Sequence, residues 1–120
     1  MSDADQVIIY HNPRCAKSRE TKKLLEEKGI EPVVVEYLKT PPSAEELERI
    51  LDMLGFDDPR QLMRRKEKEY KALGLDDPSL SREQLIQAMV AHPRLIERPI
   101  VIHGDKARLG RPPEQVLDIL

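Results

Sequence analysis

The chain has 120 residues and a mass of 13.8 kDa, the size of one domain that buries enough surface to need no disulfide staple. Apolar residues make up 39% and charged residues 35%, a folded globule's composition rather than a disordered chain's. With 20 basic side chains against 22 acidic ones, no Trp and one Phe, it has neither the charge nor the stacking surface for nucleic acid, and no apolar run approaches the roughly 20 residues of a membrane span.

The N-terminus, Met1-Ser2-Asp3-Ala4-Asp5-Gln6, is polar and acidic, unlike a secretory leader, so a cytoplasmic protein is expected. Gln6 to Tyr10 is short, apolar and β-branched and stops at His11-Asn12-Pro13, which predicts a buried strand running into a loop. From Cys15 to about Lys28 the chain is charged with Leu24 and Leu25 inward, and Gly29 follows, which predicts a helix. Val33-Val34-Val35 predicts a second buried strand. Strand, helix and strand within about 30 residues form a βαβ unit, with parallel strands and a right-handed crossover.

Pro41-Pro42 breaks the chain, and Ser43-Ala44-Glu45-Glu46 has the form of a capping box. Leu47, Ile50, Leu51 and Leu54 follow at helical spacing up to Gly55. Asp58-Pro59 predicts a further helix start, carrying Leu62, Met63, Arg64 and Arg65. Ser81 to about Val90 predicts another helix, burying Leu85, Ile86 and Met89. Ile100 to Ile102 and Lys106 to Leu109 flank Gly104-Asp105 and predict a hairpin. Pro112-Pro113 then opens a short last helix, with Val116, Leu117 and Leu120 expected inward. The order β-α-β, helical insert, β-β-α predicts an α/β, thioredoxin-like fold with a four-stranded mixed sheet flanked by helices. A single domain over residues 1–120 is expected, with a helical insertion over about 41–92 packed on the sheet.

The chemistry centres on Cys15. As the only cysteine it excludes an intramolecular disulfide and suits a reducing compartment. It stands where the first strand hands over to the first helix, so free N–H groups and the helix dipole favour its thiolate. His11, Arg14, Lys17 and Arg19 lie nearby in the sequence and add positive charge to that expectation. A buried structural cysteine is the alternative, but an apolar core residue is poorly placed in Asn-Pro-Arg-Cys-Ala-Lys-Ser. Arg98-Pro99 opens the third strand, where a thioredoxin-like fold usually carries a cis proline beside the active cysteine. Arg64, Arg98 and Arg111 sit in three separate elements, and guanidinium forks suit tetrahedral oxyanions. For Arg64 and Arg65 by themselves a solvated helix face is the simpler account. His11, His92 and His103 lack ligand spacing with Cys15, so no metal site is expected.

Four segments together resemble the glutaredoxin-coupled arsenate reductase (ArsC) family, in its short, YfgD-like branch. They are Tyr10-His11-Asn12-Pro13-Arg14-Cys15-Ala16-Lys17-Ser18-Arg19, Leu62-Met63-Arg64-Arg65-Lys66, Glu97-Arg98-Pro99-Ile100-Val101 and Arg108-Leu109-Gly110-Arg111-Pro112-Pro113. They come in the family's order and approximate spacing. The resemblance implies that Cys15 is the nucleophile that attacks arsenate and that His11 favours its thiolate. It implies that Arg64, Arg98 and Arg111 hold the oxyanion, with Asn12 and Ser18 as supporting donors. It also implies no bound cofactor, glutathione as co-substrate, glutaredoxin as partner and a cytoplasmic monomer. Position 18 is Ser, so no Cys-x-x-Cys pair exists and the resolving thiol comes from outside the chain. Two departures are the lack of the longer enzymes' C-terminal tail and the charged stretch Lys66-Glu67-Lys68-Glu69. Two other functions fit parts of the pattern. A regulator related to the Spx proteins is expected to carry a Cys-x-x-Cys switch. A glutathione-dependent thiol oxidoreductase without an arsenic role needs Cys15 but not three arginines.

Overall fold

The computed structural model describes residues 6–120, so Met1 to Asp5 of the acidic N-terminal stretch lie outside the described residues. The chain divides into two compact units, one formed by the described residues up to Thr40 together with Arg98–Leu120, the other by Pro41–Glu97.

The first unit holds the sheet. Its strands are β1 (Val7–Tyr10), β2 (Val33–Val35), β3 (Ile100–His103) and β4 (Lys106–Leu109), in the order β2-β1-β3-β4. β1 pairs parallel with β2 and antiparallel with β3, with Ile9 opposite Val34 and Val101, and β3 pairs antiparallel with β4. This mixed, four-stranded arrangement is the thioredoxin-like fold, and the β1–helix–β2 crossover places α1 (Ala16–Glu27) on one face of the sheet. Side chains alternate along a strand, so Val7, Ile9 and Val101 point to that face. They form a core with Leu25 of α1 and with Val116 and Ile119 from the C-terminal segment. Tyr10, Ile100 and Ile102 are buried on the other face.

Two sequence expectations fail here for identifiable reasons. β2 is an edge strand, not a buried one, and Val33 and Val34 are exposed at 42% and 39%. Three valines fit a pleated surface equally well at an edge or in the centre. The last element, Pro113–Ile119, is a 3-10 helix rather than an α-helix. Its buried residues, Pro113, Val116 and Ile119, recur every three positions, as a helix with three residues per turn requires. Leu117 and Leu120, expected inward, are therefore exposed. The hairpin is as expected: Gly104 and Asp105 join paired His103 and Lys106, and Gly104 alone takes a positive φ, 65°, the pattern of a type II′ turn.

The second unit is built on α2 (Ala44–Leu54) and α4 (Arg82–Ala91). The Ser43 hydroxyl caps α2 by accepting from Glu46 N–H, and Gly55 closes it at a φ of 75°. Ser81 and Gln84 form a complete capping box on α4. Leu47, Ile50, Leu51, Leu85, Ile86 and Met89 are buried as the 3.6-residue period predicts. The helix expected from Asp58 is only a 3-10 turn, Pro59–Leu62, although Asp58 and Gln61 cap it reciprocally. It stops because Met63 forms an antiparallel bridge with Ile96, a partner far along the chain. The charged stretch Lys66-Glu67-Lys68-Glu69 enters a short helix, α3 (Lys68–Ala72), and a 3-10 turn, Pro93–Leu95, follows α4. Among the described residues no helix is long and apolar enough to cross a membrane.

Leu25 is fully buried within the sheet–α1 core. Leu25→Ala is expected to destabilise the protein by about 2–5 kcal/mol, through lost burial and the cavity left behind. Urea denaturation of wild type and variant checks the difference.

Candidate active site

β1 ends at Tyr10, and the chain turns through His11 to Arg14 before α1 begins. Asn12 organises this loop three times over. Its carbonyl accepts from Cys15 N–H at 3.0 Å, its side-chain oxygen accepts from Arg14 N–H at 3.0 Å, and its own N–H donates to Ser18 Oγ at 3.0 Å. Arg19 reaches back from α1 and donates to the Pro13 carbonyl at 3.0 Å. Cys15 is thereby fixed as the N-cap of α1 in an extended conformation, and its carbonyl accepts from Arg19 N–H.

Cys15 makes no side-chain cap hydrogen bond, but its sulfur stands beside the first-turn N–H groups of α1. The Cys15 thiol lies below its usual pKa. Burial is the largest single influence and works to raise it, but the Ser18 and Lys17 N–H groups and the adjacent Arg98 guanidinium, which also hydrogen-bonds the sulfur, together outweigh it. The cation acting on the sulfur thus comes from Arg98, two residues before β3, not from His11, Arg14, Lys17 or Arg19. Arg19 is engaged with the Pro13 carbonyl, and Lys17 pairs with Glu20 at 3.7 Å.

His11 is buried, and its Nδ1 lies 2.6 Å from Ser18 Oγ. Its pKa is lowered, chiefly by burial and then by Lys22, with Arg19 adding to the effect and Glu36 opposing it. The imidazole is therefore neutral near pH 7 and acts as a hydrogen-bonding partner rather than as the positive charge expected from the sequence. Ser18, itself fully buried, joins His11, the Asn12 backbone and the Cys15 sulfur.

Arg98 and Pro99 are joined by a cis peptide bond, the form usual for a thioredoxin-like fold at this place, and Arg111 and Pro112 by a second that the sequence reading did not anticipate. Nε and Nη1 of Arg98 are buried. Arg111, exposed at the end of β4, donates from Nε to the Arg98 carbonyl at 3.0 Å, which ties the two arginine segments together. Cys15, His11, Asn12, Ser18, Arg98, Pro99 and Arg111 all belong to the first unit. Arg64 belongs to the second. There its backbone N–H donates to the Leu95 carbonyl at 2.7 Å and its guanidinium pairs with Glu67 and lies 4.0 Å from Glu97. Glu67 also lies 3.8 Å from Arg94. The charged stretch noted in the sequence thus supplies, three residues on, the carboxylate that holds Arg64.

A low-pKa thiol at a helix N-terminus with a guanidinium against it can make a nucleophile and hold an anion. Comparison with known proteins agrees in kind. The ArsC family model matches residues 10–119, and the chain belongs to the ArsC family. It is 62% identical over 115 residues to the Escherichia coli K12 protein YfgD, an alignment covering 96% of this chain and 97% of that one. It is 58% identical over 114 residues to a Haemophilus influenzae arsenate reductase, covering 95% and 98%. A solved structure of an arsenate reductase from Vibrio cholerae superposes with a TM-score of 0.95 at 57% identity, over 96% of this chain and 98% of that one.

Two outcomes follow from the site. Arg98→Ala is expected to move the pH midpoint of Cys15 alkylation by iodoacetamide upward, because an attractive charge is removed while burial still opposes the thiolate. Second, a lowered His11 pKa means that the unfolded chain binds the extra proton first. His11 thus costs no stability above its ordinary value of about 6.5, and stability is lost as pH falls from there through the folded-state value. Urea titrations between pH 7.5 and 5.5 are expected to show wild type losing more stability than His11→Asn over that window.

Proposed function

We propose that the protein is an arsenate reductase that uses Cys15 as its nucleophile and takes its reducing equivalents from glutathione and glutaredoxin. The observation that carries this reading is the Cys15 thiol, lowered in pKa at the N-terminus of α1 and hydrogen-bonded by Arg98. The relatives named arsenate reductase support the substrate.

Arsenate is a tetrahedral oxyanion, and Arg98 and Arg111 are its proposed holders, with Arg64 the third arginine that the family resemblance implies. The Cys15 thiolate attacks arsenic, a sulfur–arsenic bond forms, and an oxygen leaves as water after protonation. The arginines neutralise charge as it develops on the remaining oxygens. Glutathione thiolate then attacks the Cys15 sulfur. The sulfur–arsenic electron pair stays on arsenic, which leaves as arsenite, and a Cys15–glutathione disulfide remains. A glutaredoxin thiol attacks the glutathione sulfur and frees Cys15. Two external thiols thus supply the two electrons, in keeping with a chain that has one cysteine. His11 and Ser18 act by orienting the loop and its N–H groups toward the sulfur, and no bound cofactor takes part. A reducing cytoplasm and a monomeric enzyme fit this scheme.

The test is arsenate-dependent NADPH oxidation coupled through glutathione, glutaredoxin and glutathione reductase. Wild type is expected to turn over, Cys15→Ser to be inactive, and Arg98→Ala to lose about 100- to 1,000-fold in kcat/KM, the usual cost of one oxyanion donor. Glutathionylation of Cys15 without any arsenate-dependent oxidation would overturn the arsenate reading and leave a general thiol oxidoreductase.

A further inference from the structure

Gly110 follows β4 and immediately precedes Arg111, and it is buried. Its φ lies outside the left-handed region, so the backbone there suits any residue and the reason for glycine is space. A Cβ at this position would stand 2.4 Å from Thr21 Oγ1, 3.1 Å from Thr21 Cγ2 and 2.7 Å from Pro99 Cγ. None of these neighbours can give way freely. Thr21 is fully buried, branched at Cβ and bonded from Oγ1 to the Lys17 carbonyl at 2.8 Å. Pro99 is a buried ring. The same glycine donates its N–H to the Pro99 carbonyl at 3.0 Å.

Three segments therefore meet with only hydrogens between them. One is the second turn of α1, whose preceding turn presents the Lys17 and Ser18 N–H groups to the sulfur. The second is Arg98-Pro99, which carries the guanidinium. The third is the end of β4, which leads into Arg111 and its bond to the Arg98 carbonyl. We propose that Gly110 is a positioning residue of the active site, whose missing side chain lets Arg98-Pro99 seat against α1 so that Arg98 meets Cys15. This deepens the proposed function and rests on its assignment of Cys15 as the nucleophile beside Arg98.

Any side chain at position 110 wedges Pro99 away from Thr21 and draws Arg98 back from the sulfur. The test is the pH profile of Cys15 alkylation by iodoacetamide, read without arsenate so that it is independent of the substrate, alongside urea denaturation. Gly110→Ala is expected to move the midpoint upward, toward that of a free thiol, and to lower kcat/KM for arsenate by on the order of 100-fold, the scale of a displacement of about 1 Å. Combining it with Thr21→Ala removes two of the three close atoms, and the double variant's midpoint is expected to fall between wild type and Gly110→Ala. A merely structural glycine would lower stability without moving the alkylation midpoint. A folded Gly110→Ala protein whose profile coincides with wild type therefore overturns the proposal. If Gly110→Ala alone does not fold, the double variant is compared with Thr21→Ala, where an upward midpoint supports the proposal and coincidence overturns it. Failure of arsenate turnover in wild type, with the alkylation shift intact, would sink the substrate reading but not this one.

Discussion

A buried sulfur does not hold negative charge unless something replaces the water it has lost, and the first unit of this protein is arranged around that need. Burial alone would push the Cys15 thiol up. Two N–H groups of the first turn of α1 and the Arg98 guanidinium reverse the sign. Each of these is supplied by a different part of the fold. The β1–α1 junction delivers the N–H groups, and the start of β3, paired antiparallel to β1, delivers the guanidinium. The strand register that puts Tyr10 opposite Ile100 is thus also what brings the loop after β1 level with the residues before β3.

The polar groups around the sulfur divide their work. Asn12 and Arg19 close the loop, Ser18 links its backbone to His11, and Arg111 braces the Arg98 carbonyl. His11 contributes as a neutral ring. Its burial beside Lys22 and Arg19 keeps the proton off, and the positive charge near the sulfur is left to Arg98. An arginine is suited to this place because one planar group can face a thiolate and an oxyanion in turn.

In the second unit, Arg64 is held among Glu67 and Glu97, with Glu67 shared with Arg94. Two carboxylates against two guanidiniums leave this cluster near neutral, so Arg64 is an oriented group rather than a loose surface charge. Arg64 lies outside any helix and pairs locally with Glu67, while Glu97 and Arg94, about 30 positions away, complete the cluster.

The sequence by itself determined the local elements and the place of the candidate nucleophile. Residue periods, capping residues and turn glycines act over a few positions, so α1, α2, α4 and the Gly104-Asp105 hairpin were legible, as was Cys15 at a helix start. Tertiary structure decided what depends on partners distant in the chain. Sheet order made β2 an exposed edge, although Val33-Val34-Val35 reads as a buried run. The Met63–Ile96 bridge ended a helix that the sequence would have continued. Packing of the C-terminal segment on the core imposed a three-residue period and turned Leu117 and Leu120 outward. At the site, the cation that acts on the sulfur, the neutrality of His11 and the role of Gly110 all follow from burial and close approach. A buried glycine at a strand end was the one visible signal of such an approach. Burial and approach are properties of the assembled fold, because the dielectric around a group and the space beside it are set by whichever segments the topology brings there.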